Sequence, residues 1–106
     1  MAQQKEARLS QKIATALRKR GALVIKIAGG MYQTPGLSDL FVVVDGRFFA
    51  IEVKRPREDG GPGCERGVTE KQHIFLGRVK DAGGISGCVE SVEAAVHMVY
   101  GKEPHG

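Results

Sequence analysis

The chain has 106 residues, 42% of them hydrophobic and 26% charged, and 16 lysines and arginines against 12 acids leave a net charge of +4. That size and balance describe one domain with a single modest core. No apolar run approaches the ~20 residues needed to span a bilayer, and Met1-Ala2-Gln3-Gln4-Lys5-Glu6 contains no signal-peptide hydrophobic region.

The sequence pI near 9.3 is a mild basic bias that suits a polyanionic partner. The two cysteines, Cys64 and Cys88, follow no disulfide-framework or zinc-site spacing. The expectation is a reducing cytoplasm, with Cys64 a free thiol.

In chain order, Leu9, Ile13, Ala16 and Leu17 recur at helical spacing from about Gln4 to Arg20, and Gly21 supplies a stop. Ala22 to Ile27 reads as a short strand. Ala28 to Gly36 is a loop. Leu37 to Val44 is β-branched and aromatic, as a buried strand should be. Asp45-Gly46 is the signal for a two-residue type I′ turn, and Arg47 to Lys54 is the returning strand. Arg55 to Gly67 is polar and broken by proline and glycine, so no regular element is expected there. Thr69 opens a second helix that ends near Gly83-Gly84. Ile85 to Val89 is a last strand, Ser91 opens a final helix to about Tyr100, and 101–106 is expected to be a disordered tail. The order α-β-β-β-α-β-α predicts an α/β domain with a small mixed sheet flanked by helices. The step from Lys54 to Ile85 is long enough for a parallel crossover.

The tight turn fixes the hairpin register. Val44 faces Arg47, so Asp39 faces Glu52, with Cβ atoms expected about 4.5–5.5 Å apart. Alternation puts Lys54 on the same face, roughly 7 Å further along. Like charges so placed repel, and a divalent cation held by Asp39 and Glu52 relieves the repulsion. Magnesium takes such oxygen ligands together with water and substrate phosphates. Lys54 would orient an attacking water or stabilise negative charge on a phosphate. No serine or cysteine nucleophile with a histidine partner stands out, so hydrolysis by activated water is the expected chemistry. Glu6 shares the core-facing side of the first helix. It is either a third metal carboxylate or a first-turn acid complementing the helix dipole. Tyr32 and Gln33, in the loop before Asp39, are candidates for touching DNA. Arg55, Arg57, Arg66, Lys71 and Arg78 are candidate phosphate contacts, or simply solvated charges.

The succession Pro35-Gly36-Leu37-Ser38-Asp39-Leu40, then Ile51-Glu52-Val53-Lys54, then Thr69-Glu70-Lys71-Gln72, resembles the VRR-NUC domain of the PD-(D/E)XK nuclease superfamily. The likeness runs from Glu6 to about Ala95. One departure is Ser38, where the family favours proline. The resemblance implies a restriction-endonuclease-like core and magnesium- or manganese-dependent cleavage of DNA. It implies Asp39, Glu52 and the Val53 carbonyl as metal ligands, with Glu6 helping, and Lys54 as the catalytic lysine. It gives Gln72 an active-site place, although Thr69-x-x-Gln72 is also a capping box. The stand-alone phage and bacterial members are similar to junction resolvases that act as homodimers on branched DNA such as four-way (Holliday) junctions. An inactive DNA-binding module with the same fold is the alternative.

Overall fold

The computed structural model describes residues 2–28 and 35–101. Helix α1 (Ala2–Lys19) buries Ile13, Ala14 and Leu17 completely, as its helical spacing requires. It ends in paired backbone bonds, Gly21 N–H to Arg18 O and Ala22 N–H to Leu17 O, the glycine-capped stop that satisfies otherwise orphaned carbonyls. Strand β1 (Leu23–Lys26) follows. The hairpin is β2 (Leu40–Val44) and β3 (Arg47–Val53). Both turn residues have positive φ, 51° at Asp45 and 76° at Gly46, as a type I′ turn demands. Val44 pairs with Arg47 and Leu40 with Ile51, which is the expected register. Helix α3 (Glu70–Asp81), strand β4 (Ile85–Val89) and helix α4 (Val92–Tyr100) complete the α/β order.

The four strands lie in the order β1-β2-β3-β4. The first two pairings are antiparallel and β3–β4 is parallel, so the sheet is mixed and the crossover through α3 is present. One face carries Leu40, Val42, Phe49, Ile51 and Val53, packed with Ile13 and Leu17 of α1 and Ala95 and Val99 of α4. The other face meets α3. Phe41 stacks on Phe75 with centroids 6.1 Å apart, and the Ser86 hydroxyl donates to Leu76 O at 2.6 Å. Strand alternation puts Glu52 on this second face, opposite the main core.

The connection after β3 is more ordered than its composition suggested. It forms a 3₁₀ turn (Arg57–Asp59) and a five-residue helix, α2 (Gly63–Gly67). The organiser is Arg55, only 8% exposed. Its guanidinium donates to Asp59 O at 3.1 Å and Gly60 O at 3.0 Å. A fork of donors thus gathers carbonyls that have no ladder to join.

The cysteine expectation is overturned. Cys64 and Cys88, 24 positions apart in sequence, form a disulfide with Cα atoms 5.7 Å apart. The crossover brings β4 beside β3, and the Arg55 knot folds α2 back over it. Neither event is visible in the cysteine spacing. The bond also removes the ground on which a reducing compartment was expected. No described helix is long and apolar enough to cross a membrane. The expected tail, past Gly101, lies outside the described residues.

Closing a loop of this length lowers unfolded-chain entropy by an amount worth about 3 kcal/mol. Reducing the Cys64–Cys88 bond is expected to lower unfolding stability by about that much, read from urea midpoints with and without reductant.

Candidate active site

Four side chains converge where β2 begins, β3 ends and α3 begins. Asp39 stands one residue before β2, and its main-chain carbonyl accepts from Ile27 N–H at 2.8 Å. Its carboxylate Oδ2 accepts from Val53 N–H at 2.8 Å. The head of β2 is thereby pinned to both neighbouring strands. The preceding Ser38, 1% exposed, donates its hydroxyl to Leu40 O at 3.3 Å. The serine that departs from the proline pattern thus makes a buried bond of its own. Gly36 seats this loop against α3. Its φ is +84°, and a Cβ there would lie 2.6 Å from the Lys71 carbonyl oxygen, so any other residue would be both strained and in collision.

Glu52 is the centre. It is 1% exposed. Its Oε2 accepts from Gln72 Nε2 at 2.9 Å and lies 3.3 Å from Lys54 Nζ. Its Oε1 is buried with no hydrogen-bond partner. Burial first, and then the Asp39 charge, push the Glu52 carboxyl up to about 7; Lys54 pulls it down, and Glu6 adds a smaller upward push. Glu52 therefore titrates near neutrality.

Gln72 forms the foreseen capping box and also reaches Glu52. Its Oε1 accepts from Thr69 N–H at 2.8 Å while Thr69 Oγ1 accepts from Gln72 N–H at 3.2 Å, a complete capping box. That leaves Nε2 free to donate to Glu52. One amide ties the start of α3 to the end of β3, and its tautomer-like choice of oxygen and nitrogen is fixed by both partners at once.

The remaining candidates distribute unevenly. Glu6 is half-buried on α1 and reaches Glu52 through its charge. Among the described residues no three His, Cys, Asp or Glu side chains gather as a metal-holding group, so the assembled unit is the Asp39–Glu52 pair. Val53 turns its side chain into the core and gives its N–H to Asp39. Arg55 is buried, and its guanidinium donates to Asp59 O and Gly60 O. These two bonds make it a loop organiser, and they leave other guanidinium N–H donors. Arg57 and Lys71 are exposed, as are Arg66 and Arg78. Tyr32 and Gln33 lie outside the described residues.

Two neighbours of the site had no signal in the sequence. A Cβ at Gly67 would lie 3.0 Å from Lys54 Cδ and 3.2 Å from its Cγ, so α2 ends against the Lys54 stem. Cys88 is the direct β4 partner of Glu52. Both positions depend on contacts that span the crossover.

Family models, curated proteins and solved structures were all compared with the chain, and none matches it.

The Glu52 titration has a definite sign in the metal-free protein. The folded carboxyl releases its proton near 7 rather than at the ordinary 4.5, so between those values the folded state binds more protons than the unfolded one. Stability from this group therefore falls as pH rises through that window and levels off above it. Glu52→Gln is expected to remove that descent, checked by melting temperatures of both proteins measured from pH 4 to pH 8.

Proposed function

We propose that this chain is a metal-dependent deoxyribonuclease of the VRR-NUC kind, hydrolysing phosphodiester bonds with a preference for branched DNA such as four-way junctions. The observation that carries this reading is the pair of acids with one orphaned oxygen. A buried carboxylate oxygen without a donor is costly, and here it belongs to Glu52, beside Asp39 and Lys54. The donor set consists of hard oxygens, which fits magnesium or manganese. Asp39 and Glu52 would hold the ion, with Glu6 and the Val53 carbonyl as further candidates. When bound, such an ion supplies Lewis-acid polarisation of a phosphoryl oxygen and acidifies a bound water.

The chain's own residues supply the rest. Gln72 fixes the Glu52 rotamer, so the carboxylate is preorganised before substrate arrives. Lys54 Nζ, 3.3 Å from Glu52 Oε2, brings a compact positive charge to where a phosphate gains negative charge. Its side chain is only 12% exposed, so that charge acts in a poorly screened setting. Exposed Arg57 and Lys71 offer phosphate contacts that position the duplex without reading its sequence. Action as a homodimer, which would put two sites on symmetric strands, belongs to the same reading.

The test is cleavage of a labelled four-way junction and of linear duplex, with and without magnesium or manganese. Metal-dependent cutting that favours the junction is expected. Failure to cut any DNA in several divalent metals would remove the nuclease reading. Glu52→Gln is expected to lower the cleavage rate by at least about 10³-fold while junction binding persists. An inactive binding module would leave both quantities unchanged.

Metal binding requires the ionised carboxylate. With Glu52 held near 7, manganese affinity is expected to be about tenfold weaker at pH 6 than at pH 8, measured by calorimetry. Saturating manganese should also raise the melting temperature of the wild type and leave that of Asp39→Asn unmoved.

A further inference from the structure

The catalytic reading leaves the disulfide unused, yet the bond lies within the same neighbourhood. Cys88 sits in β4 directly beside Glu52, and the next pair along is Val53 with Val89. Lys54 N–H extends that ladder, donating to Val89 O at 3.1 Å. Cys64 lies at the start of α2, where its N–H donates to Glu90 Oε2 at 2.9 Å. The other end of α2 is Gly67, and the space left by its missing side chain is filled by Pro62 Cγ and the Lys54 stem. A single short helix is therefore bolted at one end to the strand beside Glu52 and pressed at the other against Lys54.

Five residues of helix cannot hold themselves. What fixes α2 is its attachments: the Arg55 knot upstream, the Glu90 contact and the disulfide. Of these only the disulfide is covalent. Both cysteines are half-buried rather than fully buried.

We propose that the Cys64–Cys88 disulfide is a positioning tether for Lys54, so that the site is set in the oxidised protein and loosened by a dithiol reductant. In the reducing step a thiolate of the dithiol bonds to one cysteine sulfur as the protein S–S bond breaks. The reagent's second thiolate then displaces that sulfur, closing a cyclic disulfide. Two electrons and two protons pass to the protein, leaving two thiols. Helix α2 then swings on the Arg55 knot, and the wall against the Lys54 stem is withdrawn. The effect on catalysis rests on the nuclease reading; the effect on Lys54 does not.

The experiment therefore has two arms. In the first, oxidised and dithiol-reduced wild type are treated with acetic anhydride at a temperature where their circular dichroism coincides, and acetylation is followed at each lysine by peptide mass mapping. Lys54 is expected to react about five- to tenfold faster after reduction, while exposed Lys19 and Lys80 keep their rates. An unchanged Lys54 rate overturns the tether. In the second arm junction cleavage is measured in both redox states. Reduction is expected to lower kcat about tenfold at unchanged KM, with recovery on reoxidation. Equal kcat in the two states overturns the positioning role even if Lys54 becomes reactive.

Gly67→Ala keeps the disulfide but presses a methyl group against both the Lys54 stem and Pro62 Cγ. It is expected to reproduce the fall in kcat without reductant, and a wild-type kcat in this variant also overturns the proposal. Should neither redox state cut DNA, the nuclease reading falls, and the tether is decided by the acetylation rates alone.

Discussion

A carboxylate removed from water needs partners, and Glu52 finds two while a like charge stands against it. Gln72 comes from the start of α3 and Lys54 from two residues further along its own chain, whereas the Asp39 charge, just before the neighbouring strand, opposes ionisation of Glu52. Each of the three is fixed elsewhere by a second bond or contact: Gln72 by its capping box, Lys54 by its backbone bond to Val89 and the wall at Gly67, Asp39 by Val53 N–H. The cluster is rigid because its members serve secondary structure at the same time as they serve one another. Loss of Gln72 or Lys54 would strip a partner from the buried carboxylate, which is more damaging than loss of an exposed pair.

The two faces of the sheet divide the labour. The α1 and α4 face carries the apolar residues that stabilise the fold, and Leu40, Val42, Ile51 and Val53 all point that way. The α3 face carries the acids at one end and an aromatic group, Phe41, Phe48 and Phe75, further along. Burying Glu52 beside α3 rather than in the main core gives it Gln72 and Lys54 as partners, which offset its desolvation only in part. It also leaves Asp39 half-buried, at the margin where a charged ligand or a polyanion can approach. An acid near neutrality in such a place is a common mark of chemistry, since function is where pKa values are most often displaced.

The segment 55–67 shows how a polar, glycine-rich stretch acquires order without a hydrophobic reason for it. Arg55 supplies the donors, glycines allow close chain approach, and the disulfide joins the result to the sheet. The connection is thus part of the architecture that surrounds Lys54, in contact with it through Gly67.

Much of this was written in local sequence. Helical spacing marked α1, a two-residue turn with its required positive φ fixed the β2–β3 register, and Thr69-x-x-Gln72 announced the start of α3; each is decided by interactions among residues close along the chain. The meeting of Asp39, Glu52 and Lys54 on one face followed from that register alone. The tertiary structure decided the rest. It decided that Cys64 meets Cys88, that Arg55 gathers carbonyls of its own loop, and that one amide of Gln72 serves both cap and carboxylate. It also decided that Gly67 stands against Lys54. These outcomes depend on how a crossover of some thirty residues folds back on the sheet, and period and turn chemistry do not encode where two distant segments will touch.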